Sequence, residues 1–421
     1  MIQVNDPGVL VIGGVVPRSA DRAPVDLKVF GSPDHAANVY QWNLINGLEG
    51  NLGSPVRIIS VPFLSLARGL GGTIRVPGFA WRHSQSASDI SVGFINVFGL
   101  RNITRELALR RALMRFLPGE GSPGRARLLV FVYAMHGPFL QQLALIKRRR
   151  PDAHVCLVVP DLPEHMRDLE HSPAVVRLLK RIDMRRNRAC LTHVDSYVLI
   201  SAHQAEVLGL ATQSYVVVEG MVDSDDRIPA GAGPDRGEQC GGAFTVVYTG
   251  RLDRRYGVLD LVESLEHLGG RDIRLVLCGD GDSAGAVAAA SRRDPRIVYA
   301  GQVSREESVA WQRRADVLVN PRPGVADFTR YSFPSKTLEY LDAGKPVLAY
   351  PSEGTPAEYD EHLLYVPEPG PEALARAIER VMAMPEDERR AMGARARRFV
   401  HDEKSVARQM GRVLALVGGI R

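Results

Sequence analysis

The sequence has few cysteines and no long apolar run. Its four cysteines, Cys156, Cys190, Cys240 and Cys278, are widely scattered and form no C-x-x-C pair. This spacing argues against a zinc site or a disulfide framework and is typical of a reducing cytoplasm. No run of about 18 uncharged apolar residues exists, so no membrane-spanning helix is expected. The N-terminal stretch MIQVNDPGVLVIGG has no basic residue before its apolar part, so we predict no signal peptide.

Signals for metal and nucleic-acid binding are also lacking. No Asp-x-Asp pair stands in a context typical of metal binding, so no metal site is predicted. The basic stretches have no interleaved aromatic residues, and residues 241–421 hold 26 Lys and Arg against 26 Asp and Glu. Nucleic acid is therefore not expected as a partner.

Positive charge is concentrated in the first half of the chain. Residues 101–200 hold 18 Lys and Arg against 9 Asp and Glu. This excess belongs either to solvated helix faces or to a surface that attracts an anionic partner, phospholipid or a diphosphate-bearing substrate. The stretch RLLKRIDMRRNRA (177–189) combines basic and apolar residues; it either lies on an anionic membrane or contributes its apolar side chains to an ordinary core.

A length of 421 residues predicts two domains of about 200 residues each. Short β-branched runs alternate with helical stretches, which indicates mainly parallel sheets covered on both faces. The pattern stops in a stretch rich in Gly, Pro and charge and then restarts, so the fold class predicted is α/β with two Rossmann-like, doubly wound domains facing a cleft. The predicted segments are a first domain (1–222), a linker (223–242), a second domain (243–395) and a helical tail that packs across the domains (396–421).

The stretch YSFPSKTLEYLDAGKPVLA (331–349) combines a helix start with an unusual set of polar side chains. With Pro334 near the first helical position, the N–H groups of Ser335, Lys336 and Thr337 are predicted to be unpaired and to form an anion site. Glu339 lies one turn further on the same face, where a carboxylate can accept two hydroxyls of a ribose. The alternative is an ordinary helix start with a surface Lys–Glu pair.

Several motifs together resemble family 4 retaining glycosyltransferases, which have the GT-B fold and use nucleotide sugars. In the second half they are YTGRLDRRYGVLDLVES, LVLCGDGD, IVYAGQVSREES, ADVLVNPRPG and FPSKTLEYLDAGKPVLA. In the first half, the GG at 13–14, AANVYQWNLINGL, VYAMHGPF, VVPDLPEHM and VVVEGMVD are similar to members that make bacterial glycans. The resemblance implies a first domain that binds the acceptor and a second that binds the nucleotide sugar.

The resemblance also implies roles for single residues. Glu339 matches the second Glu of the E-x7-E signature, which binds the ribose, and Ser335, Lys336 and Thr337 match the helix start that receives the diphosphate. Arg251 matches the cation that neutralises the leaving diphosphate. In the first domain, Gly14 matches a glycine that lets the backbone approach donor phosphates or acceptor, and His136 matches a histidine near the transferred sugar.

Two positions depart from the family pattern. Tyr331 stands where the first Glu of the signature, which holds donor-sugar hydroxyls, is expected. Tyr256 stands where a Lys follows the Arg of the GRL motif; Arg254, Arg255 or Lys336 supplies that charge instead, and Arg255 is favoured. These departures point to a branch of the family that lacks the first Glu.

The function implied is a metal-independent, hexosyltransferase-type enzyme that uses a UDP- or GDP-sugar and no cofactor. It would transfer the sugar with retention to a glycan, a lipid-linked acceptor or a small molecule, in bacterial polysaccharide, glycolipid or glycosylated-metabolite synthesis. The location expected is the cytoplasm, with peripheral contact at the inner face of an anionic membrane. The alternatives are an epimerase or phosphorylase of the same fold and a non-catalytic sugar-nucleotide-binding protein.

Overall fold

The chain forms two compact units, residues 1–218 with 406–421 and residues 219–405. The computed structural model describes residues 8–18, 21, 23–31, 33–65, 74–117, 127–162, 174–223, 242–324 and 327–419. The predicted linker 223–242 lies, apart from its two end residues, outside the described residues. None of the described helices is long and apolar enough to cross a membrane.

The first unit is built on an eight-stranded sheet with the order β10-β9-β8-β7-β1-β2-β5-β4, in which only β4 runs antiparallel to its neighbour. A separate two-stranded ribbon joins β3 and β6. The strands are β1 (Val9–Gly13), β2 (Arg57–Ser60), β3 (Arg75–Val76), β4 (Phe79–Trp81), β5 (Asp89–Ser91), β6 (Phe94–Ile95), β7 (Leu129–Tyr133), β8 (His154–Val159), β9 (Ser196–Leu199) and β10 (Tyr215–Val217). Strands β1, β7 and β8 are buried along their whole length, as expected for parallel strands covered on both faces.

The described part of the first unit contains seven helices. They are α1 (His35–Leu52), α2 (Leu100–Phe116), α3 (Gly137–Leu140), α4 (Leu143–Arg149), α5 (Ala174–Cys190), α6 (His203–Leu208) and the C-terminal α13 (Val406–Gly419). Helix α13 packs against α1, where Gly47 leaves room for Met410 and Val406. On α5 the side chains of Arg181, Ile182, Arg185, Arg186 and Arg188 are exposed.

The second unit is a six-stranded parallel sheet with the order β13-β12-β11-β14-β15-β16. Its strands are β11 (Phe244–Thr249), β12 (Ile273–Cys278), β13 (Ile297–Gly301), β14 (Val317–Asn320), β15 (Val347–Ala349) and β16 (Leu364–Tyr365). Its helices are α7 (Val258–His267), α8 (Ala284–Arg293), α9 (Arg305–Arg314), α10 (Lys336–Asp342), α11 (Pro371–Ala383) and α12 (Glu386–Glu403). Counted from β11, the strand order is 3-2-1-4-5-6, which is the order of the Rossmann fold.

The predicted fold class is confirmed: each unit is an α/β Rossmann-like sheet. Two short strands, β3 and β4, were not expected from the sequence. These strands have only two and three residues, so an alternating pattern is too short to recognise. The domain boundaries drawn from sequence stay a prediction.

Candidate functional site

In the second unit the strand order reverses between β11 and β14. Such a switch point leaves a crevice beyond the carboxyl ends of the strands, where Rossmann-like sheets bind ligands. The loop 250–257 follows β11 and the loop 321–324 follows β14. The two loops meet at Gly257, whose φ is +70° and where an added Cβ would lie 2.1 Å from the carbonyl oxygen of Pro321. Gly257 is therefore required at this crossing.

Two predicted cations of this loop share one buried carboxylate. Arg251 donates from Nε to Oδ2 of Asp253 at 3.0 Å and from Nη2 to Oδ1 at 3.4 Å. Nη2 of Arg255 lies 3.8 Å from the same Oδ2. The Asp253 side chain is 8% exposed, whereas that of Arg251 is 70% exposed. Asp253 thus orients both guanidinium groups while leaving them accessible, and the hydrogen bond from Arg251 raises the pKa of that guanidinium.

The loop after β11 is also tied to the loop after β12. Leu252 donates its N–H to the carbonyl oxygen of Asp280 at 3.0 Å, and Arg254 donates its N–H to Oδ1 of Asp282 at 2.8 Å. Gly279, with φ +142°, approaches Gly250 so closely that an added Cβ would lie 1.7 Å from its carbonyl oxygen. The segment GDGD therefore serves as a tight strand-end turn that supports the Arg251 loop.

Two guanidinium groups lie near the ring of Tyr256. Arg255 is 5.0 Å and Arg322 5.5 Å from the centroid of its ring. Arg322 follows β14, on the other side of the switch point, and donates to Oγ of Ser332 at 2.9 Å. Sequence reasoning did not select Arg322 or Asp253; the position of Arg322 two residues after a buried strand was the available signal. Arg322 therefore adds a positive charge to the crevice, in which Tyr256 stands where the family has a Lys.

Helix α10 begins later than predicted. It starts at Lys336 with Ser335 as its N-cap, so Pro334 precedes the cap instead of occupying the first helical position. The N–H of Thr337 donates to the carbonyl oxygen of Pro334 at 2.8 Å. The expectation of three unpaired N–H groups is therefore wrong for Thr337, because a tight turn at Pro334 satisfies this donor. The Thr337 side chain is buried and its Oγ1 lies 3.4 Å from Nδ2 of Asn320 at the end of β14.

Lys336 and Glu339 form an ion pair across the first turn of α10. Nζ of Lys336 lies 2.7 Å from Oε2 of Glu339, and both side chains are partly exposed. Gln312 on α9 approaches the same oxygen at 3.5 Å and donates to Oγ1 of Thr249 at 2.9 Å. This contact is the surface Lys–Glu pair that the alternative interpretation of the sequence predicted. Glu339 nevertheless lies beside α9 and the end of β11, and its side chain is 44% exposed.

Two cavities lie beyond the carboxyl ends of β14, β15 and β16. A cavity of about 560 Å³ is lined by Gly324, Tyr350 and Ser352 among others, and by none of the residues predicted from sequence. A much smaller one includes Asn320, Arg322 and Thr337. Thr337 therefore lines the smaller cavity. The described residues contain no group of three or more His, Cys, Asp or Glu placed to hold a metal ion.

In the first unit, the glycine turn after β1 is closely packed. Gly14 donates its N–H to Oε1 of Gln41 at 2.7 Å, and an added Cβ would lie 2.3 Å from the ring of Phe63. Glycine at position 14 is therefore required to make room for Phe63. That a ligand approaches this backbone stays a prediction. The side chain that packs against the backbone of Gly14 is that of Phe63.

His136 follows β7, next to β1 in the sheet, so it lies at the switch point of the first unit. Its ring packs edge-on against Phe63 and Phe139, with centroids 5.7 and 5.0 Å away. Burial, together with the guanidinium groups of Arg105 and Arg101, lowers the pKa of His136 from 6.5 to about 3. The imidazole is therefore neutral at physiological pH. Its Nδ1 is buried and has no hydrogen-bond partner among the described residues.

Comparison with known proteins identifies the class of fold. Sucrose-phosphate synthase from Thermosynechococcus elongatus superimposes with a TM-score of 0.66 at 17% identity, over 98% of this chain and 100% of the other. α,α-Trehalose 6-phosphate synthase from Burkholderia multivorans gives 0.65 at 14% identity, over 98% and 99%. Anabaena HepE, in complex with UDP, gives 0.61 at 13% identity, over 97% and 99%. The fold is that of GT-B glycosyltransferases.

The family match is confined to the second unit. Residues 243–384 match the sequence model of the family described as glycosyl transferases group 1. This unit therefore contains a domain of that family, and the match spans all the predicted site residues from Arg251 to Glu339. No curated protein matches the chain.

Proposed function

We propose that this protein is a glycosyltransferase that moves a sugar from a nucleoside-diphosphate sugar to an acceptor hydroxyl. The observation that carries the proposal is the pair of accessible arginines, Arg251 and Arg255, held by Asp253 at the switch point of a Rossmann-like sheet. The family match over residues 243–384 supports it. The similarity to a protein crystallised with UDP supports a UDP- or GDP-sugar as donor.

Departure of the diphosphate is the step in which negative charge develops. Arg251 and Arg255 would stabilise that charge from one side of the crevice, and Lys336 from the start of α10. The two arginines are positioned by Asp253 before the donor binds, so they would stabilise the leaving group with little reorganisation. We propose that this arrangement makes a metal ion unnecessary.

Donor binding would break the ion pair between Lys336 and Glu339 and give each side chain a new partner. Glu339 would accept the ribose hydroxyls, and Lys336 would turn from Oε2 of Glu339 towards the diphosphate, beside Ser335 and Thr337. A partly exposed pair of this kind contributes less than about 1 kcal/mol, so its loss costs little. Glu339→Ala and Lys336→Met should accordingly leave the free energy of unfolding unchanged within about 1 kcal/mol.

We propose that the transfer retains the anomeric configuration. The acceptor oxygen would form its bond to the anomeric carbon on the face from which the diphosphate leaves. The bond between that carbon and the phosphate oxygen would break, and the acceptor proton would pass to the leaving phosphate oxygen. The first unit would bind the acceptor near Gly14 and His136, with the neutral imidazole available for hydrogen bonding to a sugar hydroxyl. A glycan, a lipid-linked sugar or a small molecule, met in the cytoplasm, would serve as acceptor in bacterial glycan, glycolipid or metabolite synthesis.

Nucleotide binding is tested first. In a thermal-shift series with UDP, GDP, ADP and dTDP, one nucleotide should stabilise the protein, and Glu339→Ala should abolish that shift. Glu266→Ala, which removes an exposed carboxylate of α7, is the matched control and should retain the shift. If none of the four nucleotides stabilises the protein, the proposed donor site is wrong.

Activity is tested by mass spectrometry of products from a matrix of nucleotide sugars and acceptors. Transfer to an acceptor is expected, with the anomeric configuration retained by NMR and with unchanged rates in the presence of EDTA. Isomerisation of the donor without transfer would indicate an epimerase instead. Binding of a nucleotide sugar with no product would indicate a non-catalytic binding protein.

A further inference from the structure

Strongly exposed apolar side chains are concentrated in one part of the first unit. Among the described residues, nine large apolar side chains are exposed. All but Ile182 lie on α2, just before it, or on short segments that connect to α2 through β6. These eight are Val29, Ile74, Ile95, Phe98, Leu100, Ile103, Leu107 and Met114. We call them the α2 patch. Single exposed apolar residues are normal, but a group of this size is typical of an interaction surface.

Helix α2 has two apolar faces. Its inner face buries Leu109, Ala112 and Leu113 in the unit. Leu100, Ile103, Leu107 and Met114 are 46–57% exposed and recur at a spacing that places them within an arc of about 60°. The inner face suffices to pack the helix, so packing within the described unit does not account for the outer stripe.

Hydrogen bonds join the other patch segments to one another and, through Ile95, to this helix. Ile95 donates its N–H to Oγ1 of Thr104 at 3.1 Å. Asn96 donates its N–H to the carbonyl oxygen of Ile74 at 2.7 Å and its side-chain amide to that of Phe30 at 3.1 Å. The patch is therefore built from adjacent segments. Phe98, 82% exposed, stands two residues before the helix.

Basic side chains surround the apolar stripe. Helix α2 contains five arginines and one acidic residue, Glu106. Arg110, Arg111 and Arg115 are exposed and flank the stripe, and Lys28 and Arg75 are exposed on the neighbouring segments. Apolar side chains between cations match the interface of an anionic bilayer, where the side chains enter the acyl boundary and the cations meet phosphate groups.

We propose that the α2 patch docks the protein on an anionic lipid surface, with α2 lying in the plane of the interface. The charge distribution favours lipid over a second copy of this chain. A symmetric dimer through the patch would place the arginines of both copies together, whereas lipid phosphates are complementary to them. The surface differs from the one that the sequence suggested at 177–189, and the proposal stands whether or not the protein transfers sugars.

Vesicle co-sedimentation of the full chain tests the proposal. Binding is expected to phosphatidylcholine vesicles that contain phosphatidylglycerol, and only weak binding to phosphatidylcholine alone. The double variant Ile103→Ser/Leu107→Gln should reduce the partition coefficient about tenfold or more, through lost insertion. Arg110→Gln/Arg111→Gln should reduce it about tenfold at low ionic strength, and by less at high salt.

Ile182→Gln is the matched control, because Ile182 is similarly exposed on α5 but lies outside the patch. This variant should bind as the wild type does; a loss equal to that of the α2 double variant would overturn the assignment to α2. Thermal unfolding of every variant shows that it is folded. If vesicles are not bound and sedimentation velocity instead shows a dimer that the α2 variants dissociate, the patch is a homodimer interface and the proposal is wrong.

Discussion

The hydroxyl group of Tyr340 joins the helix that carries Glu339 to the strand end that precedes Arg251. It accepts the N–H of Thr249 at 2.8 Å and donates to the carbonyl oxygen of Thr249 at 3.0 Å. Tyr340 is fully buried, and burial raises the pKa of its hydroxyl, so it stays protonated and able to donate. This contact holds the two halves of the proposed donor site in one arrangement.

Tyr340→Phe should therefore destabilise the second unit. The change leaves the buried N–H of Thr249 without this partner, and we expect a loss of about 1–3 kcal/mol in the free energy of unfolding. Urea denaturation measures it. Tyr365→Phe is the control, because that hydroxyl bonds the exposed carboxylate of Asp360 and its loss should cost less than about 1 kcal/mol. Equal effects for the two variants would contradict a special role of Tyr340.

Arg251→Gln should weaken binding of the diphosphate without affecting binding of the nucleoside. A charge-assisted contact to phosphate contributes about 1.5–3 kcal/mol, so the Kd of the preferred nucleoside diphosphate should rise about tenfold or more. Isothermal titration calorimetry with that nucleotide and with its nucleoside separates the two contributions. Arg254→Gln is the neighbouring control, since Arg254 contacts Asp282 through its backbone N–H. An unchanged Kd in Arg251→Gln would show that Arg251 does not bind the diphosphate.

His83 should make the stability of the first unit depend on pH. Its ring lies 2.7 Å from both Asp89 and Glu49, and its side chain is only 4% exposed. Burial lowers the pKa of His83, but the hydrogen bonds that its ring donates to Asp89 and Glu49 outweigh this effect and raise the pKa from 6.5 to about 9. The stabilisation is therefore complete below pH 6.5 and is lost as the pH rises through about 9.

His83→Gln should accordingly lower the free energy of unfolding by about 1–3 kcal/mol near neutral pH, with the difference shrinking in alkali. Denaturation between about pH 6 and pH 10 measures this trend. His203→Gln, which removes a more exposed His–Glu contact, is the control and should have little effect. A difference independent of pH would show that protonated His83 is not the cause.

His136 should affect activity without setting its pH dependence. Because the pKa is lowered to about 3, protonation between pH 6.5 and 3 favours the unfolded chain, and the folded protein keeps a neutral ring. His136→Gln should reduce kcat/KM about tenfold through a lost hydrogen bond. The pH profiles of variant and wild type should be parallel from about pH 5 to pH 8. A limb near pH 6.5 that disappears in His136→Gln would contradict this assignment.

Local sequence was sufficient to predict most of the strands, including those that precede Arg251 and His136, and the helix that carries Glu339. Buried parallel strands are short apolar runs whose ends are marked by Gly, Pro or charge, and these signals are contiguous in sequence. Strands β3 to β6 and β16 escaped prediction because two or three residues carry no detectable period. The late start of α10 escaped it because the turn at Pro334 satisfies the N–H of Thr337 locally.

The sequence by itself determined the α/β class, the two Rossmann-like sheets and the positions that carry cations after strands. Only the tertiary structure decided which side chains meet. It places Arg251 and Arg255 on Asp253, and Tyr340 on Thr249, 91 residues apart. It also turns the second apolar face of α2 to solvent. Periodicity along a chain defines faces and ends of elements, but which face is covered depends on segments distant in sequence, and that information exists only after packing.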